Sequence, residues 1–283
     1  MKRALLKSHN LIGDGLYVGP VAEKWYREHG HEFDEVHLYT LKNHATSLYE
    51  GMGVPWKIVF EPEPPYDLEI DFNVSKAFQI SDQKKCHLVN SYAELAGVSP
   101  EGLEPVPNYR PPEMEVPDHL RNLVMVSPHS MSCASRGNPP GPANKMLAWP
   151  KWKPSLAMLR DEYPDSPLVF LGAPEDKIPS AKDGGFDTFE SDYLLGIPMP
   201  FLANIMKYAK CVITVDNGMG HLAASQRANH FYMASGSLSL HFITPWGNKN
   251  LRVFHLKPLT DEVDPVVMRW ALLSAVRDWK AKE

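Results

Sequence analysis

Several large classes of protein are excluded by what this sequence has little of. There are only three cysteines, Cys86, Cys133 and Cys211, far apart and with no C-x-x-C pair. They support neither a disulfide framework nor a cysteine zinc site, and this usage fits a reducing cytoplasm. No run of about 18 apolar residues occurs, and the apolar stretch behind the basic start MKR is too short for a signal-peptide core. The chain is therefore expected neither to span a membrane nor to be exported, while peripheral attachment to a membrane surface stays open. Basic charge is not in excess either: 29 Lys and Arg against 34 Asp and Glu give a formal net charge of −5. This argues against broad nucleic-acid binding, which needs a Lys/Arg-rich face to displace counterions. The G-x-S-x-G elbow of hydrolases is missing. His29, His31 and His37 lie close in sequence but without the Cys or carboxylate spacing of a metal site, so they read as surface histidines.

What is present reads as α/β. A chain of 283 residues with 43% hydrophobic and 22% charged residues can bury a sizeable core and exceeds the usual single-domain size. In the first third, short β-rich runs alternate with helical stretches: RALLK, GLYVGPVAEKWYREHG, DEVHLYT, NHATSLYEGMG and PWKIVF. HLVNSYAELAGV reads as a further helix with Leu88, Tyr92, Leu95 and Ala96 on one face and Gly97 as its stop. From Ser99 to His119 six prolines deny backbone donors and resist helix, as in an interdomain linker. The alternation then resumes through NLVMVSP, KPSLAMLRDEY, PLVFLGA, PFLANIMKYAK, CVITVDN, GMGHLAASQRA and HFYMA. The pattern predicts a Rossmann-like domain over 1–103, a Pro-rich linker over 104–120 and a second Rossmann-like domain over 121–262. A C-terminal amphipathic helix over 263–283, with Val266, Trp270, Leu273 and Val276 on its apolar stripe, is expected to pack back across the junction.

Three stretches carry the candidate chemistry. HNLIGDGLYVGP puts Asp14 between Gly13 and Gly15, where a strand turns into a helix. Asp14 is either a helix N-cap or a functional carboxylate at the ligand-binding end of a strand. We expect Gly13 and Gly15 to free the backbone so that Asp14 serves the site, with any capping secondary. CVITVDNGMGHLAAS ends a buried strand in Asp216 and Asn217 and opens a helix with Gly218 and Met219, followed by His221. Free N–H groups and the positive dipole end at such a start suit a phosphate. The competing reading makes Asp216 and Asn217 simple caps and His221 a surface or satisfied core residue. The loop SPHSMSCASRGNPPGPANKMLAWP offers hydroxyls, among them Ser130, and the cations Arg136 and Lys145, which together suit a diphosphate. GSLSLHFITPWG (236–247) reads as a loop near the nucleotide base, with Trp246 as a stacking candidate.

Taken in order, Gly13-Asp14, the segment Lys145 to Pro150 and the segment Asp216 to Ala223 resemble glycosyltransferase family 9, the heptosyltransferase-like enzymes, over nearly the whole chain. HLVNSYAELAGV is also similar to the helix that closes the acceptor domain in that family. The resemblance implies the GT-B architecture, two Rossmann-like domains facing a cleft, the first holding the acceptor and the second a nucleotide-sugar. It implies inverting transfer from a nucleotide-diphosphate sugar with no cofactor and no metal. It makes Asp14 the general base, with Lys145 on the donor diphosphate and Asp216, Asn217, Gly218 and His221 lining the nucleotide-diphosphate site. Glu175, after PLVFLGA, resembles the acidic residue that holds the ribose hydroxyls. This chain departs from the family pattern in having Asn217 for the usual Thr or Ser and Gly218-Met219-Gly220 before the histidine. The D-x-D metal pattern of the other glycosyltransferase architecture is not evident, Glu69-Ile70-Asp71 being its nearest analogue. The partners implied are a nucleotide-sugar donor and a glycan or other hydroxyl-bearing acceptor. Two further readings keep the fold: glycosylation of a modified nucleobase or a protein, and a nucleotide-sugar-binding protein without catalysis.

Overall fold

The computed structural model describes residues 1–8, 12–41, 46–105, 109–128, 149–172, 192–235, 243–245, 247–256 and 265–279. The chain forms two compact units, and the change between them at Glu113–Met114 falls inside the Pro-rich segment. Pro198–Pro200 and Ser239–Gly247 return to the first unit.

The first unit is built from β1 (Arg3–Ser8), α1 (Ile12–His29), β2 (Glu35–Thr40), α2 (Thr46–Glu50), β3 (Lys57–Val59), β4 (Leu68–Asp71), α3 (Val74–Lys84) and α4 (Leu88–Ala96). Its strands are parallel and ordered β3-β2-β1-β4. β1 and β2 are buried along nearly their whole length, as expected of parallel strands covered by helices on both faces. Leu6, Leu38 and Ile70 of the sheet share one core with Tyr17, Val21 and Trp25 of α1 and Tyr92 of α4. Gly97 ends α4 in the left-handed region, at φ 70°, as its position in the sequence predicted. β4 and α3, between PWKIVF and HLVNSY, carry too weak a pattern to have been read as elements. In β4 the exposed Leu68 and Glu69 break the apolar run.

The second unit contains β5 (Val124–Ser127), α5 (Trp149–Glu162), β6 (Leu168–Gly172), β7 (Asp192–Leu195), most of α6 (Met199–Tyr208), β8 (Cys211–Val215), α7 (Gly218–Ser225), β9 (His230–Ser235), β10 (Leu251–Leu256) and α8 (Pro265–Asp278). Among the described residues its strands are six, all parallel and ordered β10-β9-β8-β5-β6-β7. Counted within the unit, that is the doubly wound order 3-2-1-4-5-6, and the first unit follows its opening 3-2-1-4. The strand order reverses between β1 and β4 in one unit and between β5 and β8 in the other. Beside such points, past the carboxyl ends of the strands, open α/β sheets hold their ligands.

α8 packs on α5 within its own unit and buries Leu272, Leu273, Ala275, Val276 and Trp279. Trp270 is not part of that stripe but 64% exposed. At 3.6 residues per turn it lies about 160° around the helix from Leu272.

One tie links α4 to the returning segment. His87 caps α4, its Nδ1 accepting from the backbone N–H of Val89 at 3.3 Å, while its Nε2 donates to the carbonyl of Thr244 at 3.1 Å. Beside it the Tyr17 hydroxyl donates to the Ile243 carbonyl at 3.2 Å. The segment expected near the nucleotide base is thus anchored to the first unit through Ile243 and Thr244. Trp246 lies outside the described residues. Replacing His87 by Ala removes the cap and the bond to the Thr244 carbonyl, with an expected loss of about 1–3 kcal/mol in denaturant unfolding. His87→Asn should recover part of it by capping, and equal midpoints for the wild type and His87→Ala would show that the tie contributes nothing.

Candidate functional site

Asp14 is the third residue of α1, directly beyond the carboxyl end of β1. Its carboxylate thus sits in the first turn, where the helix dipole favours a negative charge. Gly13 and Gly15 are both inside the helix and neither has positive φ. The expected glycine freedom is therefore not what orients Asp14. Tyrosines do surround it. Tyr92, fully buried on α4, donates its hydroxyl to Asp14 Oδ1 at 3.1 Å. Tyr49 of α2, also buried, hydrogen-bonds the Ser8 hydroxyl at 2.6 Å and so fixes the end of β1. Burial first, and then the nearby Asp14 charge, hold the Tyr92 phenol well above its ordinary pKa; burial does the same to Tyr49. Both hydroxyls therefore keep their protons across the neutral range.

In the second unit the turn after β8 is held by side chains at the β5/β8 switch point. Asn217 caps α7, its Oδ1 accepting from the Gly220 N–H at 3.0 Å. Its Nδ2 donates to the Ser127 hydroxyl at 2.9 Å and to the Ser127 carbonyl at 3.3 Å, tying the turn to the end of β5. Asn217, Gly218 and Met219 are half-buried, whereas Asp216, Gly220 and His221 are buried. Asp216 Oδ1 accepts from the Tyr232 hydroxyl at 2.6 Å and lies 4.0 Å from His221 Nε2. Behind them, on β9, His230 Nε2 meets the Thr214 hydroxyl at 2.9 Å, and burial pushes the His230 pKa down to about 3.

The structure thus brings Asp216, Asn217, Gly218, Met219 and His221 together around one strand-to-helix turn. Asn217 has the capping role of the competing reading, and Asp216 and His221 form a buried pair backing the turn. Ser130, Arg136, Lys145 and Glu175 lie outside the described residues. Tyr92, Ser127 and Tyr232 were missed by sequence reasoning. Ser127, as the last residue of a strand at a switch point, carried a usable signal, whereas the two tyrosines look like ordinary core residues.

Glu69 pairs with Lys7, and His29 hydrogen-bonds Glu32 at 3.0 Å. His37 is not at the surface but buried, between Tyr66 at 3.0 Å and Glu35 at 3.2 Å. Among the described residues no group of three or more His, Cys, Asp or Glu side chains is placed to hold a metal ion. Among them too, no helix is long and apolar enough to cross a membrane.

The fold is that of glycosyltransferase family 9 structures, in line with the motif resemblance. A glycosyl transferase family 9 protein from Veillonella parvula superposes with a TM-score of 0.65 at 12% identity, covering 98% of each chain. The ADP-heptose lipopolysaccharide heptosyltransferase II of Escherichia coli gives 0.58 at 13% identity, over 98% of this chain and 99% of that one. The iron-containing dodecameric heptosyltransferase TibC of enterotoxigenic E. coli, in complex with ADP-D-β-D-heptose, gives 0.65 at 14% identity, over 98% and 75%. No protein-family model and no curated protein matches the sequence.

Two expectations follow for the second unit. A Cβ on Gly220 would come within 2.8 Å of the Thr214 hydroxyl and 3.0 Å of the Tyr232 ring. Gly220→Ala should therefore destabilise by about 1–3 kcal/mol in denaturant unfolding, and wild-type stability would show that the turn has slack. His230 is neutral when folded but titrates near the ordinary histidine value of about 6.5 when unfolded. Its contribution is whole above pH 6.5 and lost as the pH falls from there toward about 3, with a slope of up to about 1.4 kcal/mol per pH unit. His230→Gln should flatten that part of the stability profile.

Proposed function

We propose that this protein is an inverting glycosyltransferase of GT-B type that moves a heptose-like or hexose sugar from a nucleotide-diphosphate donor to an acceptor hydroxyl, with Asp14 as general base. One observation carries the reading. Each Rossmann-like sheet has a candidate group at its switch point, a carboxylate after β1 and a helix N-terminus after β8. The two suit the two halves of one displacement.

In this mechanism the acceptor hydroxyl gives its proton to the Asp14 carboxylate as its oxygen attacks the anomeric carbon from the face opposite the leaving group. The bond from that carbon to the diphosphate oxygen breaks, and the electron pair leaves with the nucleoside diphosphate. The N–H groups of Gly218 and Met219, Lys145 and the α7 dipole stabilise the growing charge, so no metal ion takes part in the step. Ser130 and Arg136 add contacts to the phosphates and Glu175 holds the ribose. Asp216 and His221 act from behind, keeping the turn in shape. The ligands named for the neighbours favour an ADP-heptose donor and a lipopolysaccharide-type acceptor. Such a transferase would work in the cytoplasm, where activated sugars are made, with the acceptor at the membrane face.

The test begins with thermal-shift titration against ADP-heptose and ADP-, GDP-, UDP-, CMP- and dTDP-linked hexoses. A single nucleotide class should raise the melting temperature. With that donor, Asp14→Asn should lower transfer by about 10²–10⁴-fold and leave the donor-induced shift intact. Full activity in Asp14→Asn would remove it as the base, and the absence of a shift with every donor would remove the glycosyltransferase reading.

A further inference from the structure

Tyr92 is a buried phenol whose hydroxyl is used on a carboxylate rather than on backbone. Burying a tyrosine hydroxyl demands a partner, and a charged acceptor gives a stronger bond than a neutral one. A core position that needed only volume would be served by phenylalanine, as at Phe72, whose ring packs 6.3 Å from that of Tyr92. The Tyr92 ring is fully buried, and its hydroxyl meets Asp14 Oδ1 at 3.1 Å. Asp14 lies on a helix that packs closely against α4. α4 is itself fixed at its start by the His87 cap and the Thr244 carbonyl. The phenol is thus delivered from a braced helix, while Asp14 sits half-buried in the first turn of another. From α2, Tyr49 places its hydroxyl on that of Ser8, near the Asp14 charge.

We infer that Tyr92 is the positioning residue for Asp14, holding the carboxylate in one rotamer through Oδ1 and favouring its ionised form. This rests on Asp14 being the base of the proposed reaction, although the hydrogen bond can be tested without any substrate. Because Tyr92 keeps its proton across the neutral range, it donates whenever Asp14 is ionised. A donor to one oxygen of a carboxylate lowers the affinity of that group for a proton. It also removes rotational freedom that a reacting base would otherwise lose in the transition state.

The decisive measurement is a carboxyl ¹³C NMR titration of the full-length protein labelled at aspartate, with the Asp14 signal assigned by its loss in Asp14→Asn. In Tyr92→Phe the titration midpoint of Asp14 should move to higher pH. With 3-fluorotyrosine at 92, a stronger donor of nearly the same shape, it should move to lower pH, and this replacement serves if Tyr92→Phe does not fold. In the transfer assay, Tyr92→Phe should lower kcat about tenfold to a hundredfold, leave the KM for donor unchanged and raise the acid limb of the pH–rate profile. An unmoved midpoint in whichever of the two proteins folds overturns the inference. If Asp14→Asn transfers normally while the midpoints move as expected, the general-base reading fails and the Tyr92–Asp14 bond stands.

Discussion

Every strand pair among the described residues is parallel. A parallel pair cannot be closed by a tight hairpin, so each connection must carry the chain back over a face of the sheet, usually as a helix. The candidate site depends on that constraint. It gathers the strand-to-helix turns of each unit along one sheet edge and points helix starts toward that edge. Asp14 in the first turn of α1 and Asn217 at the cap of α7 each lie at the start of a helix that follows a strand bordering a switch point.

The polar groups at those turns sit against apolar cores, and unpartnered they would be costly. Each unit meets that cost with tyrosine, which supplies apolar bulk to the core and a hydroxyl at its tip. Tyr92 serves Asp14, and Tyr232 serves Asp216. Asn217 works differently, spending its acceptor on the helix it caps and its donor on the neighbouring strand. The turn after β8 is therefore held from both sides. Close packing adds to this, since the space at Gly220 is filled by Thr214 and Tyr232.

Much of this was legible in the sequence because local rules govern it. Apolar runs gave the buried strands and Gly97 the end of α4. The elements that were missed had weaker local signals. β4 and β10 carry exposed or charged residues within their strands, and β7 and β10 are edge strands bonded on one side only. Trp270 was misplaced for a related reason. An i, i+4, i+7 stripe can be drawn in more than one phase on a helix with apolar residues on two sides, and only packing against α5 selects Leu272, Leu273 and Val276.

By itself, then, the sequence determined the α/β alternation and the position of Asp14 at the head of a helix, since each is set by residues a few positions apart, whereas it left the cap at Asn217 as one of two readings. Only the tertiary structure decided which side chains meet those groups. Tyr92 is 78 residues from Asp14, and Ser127 is 90 residues from Asn217. Ile243 and Thr244, deep in the second half of the sequence, brace helices of the first unit. No periodicity or propensity encodes such pairings, because a hydrogen bond between distant residues depends on how crossover helices stack on their sheets and not on the residues flanking either partner.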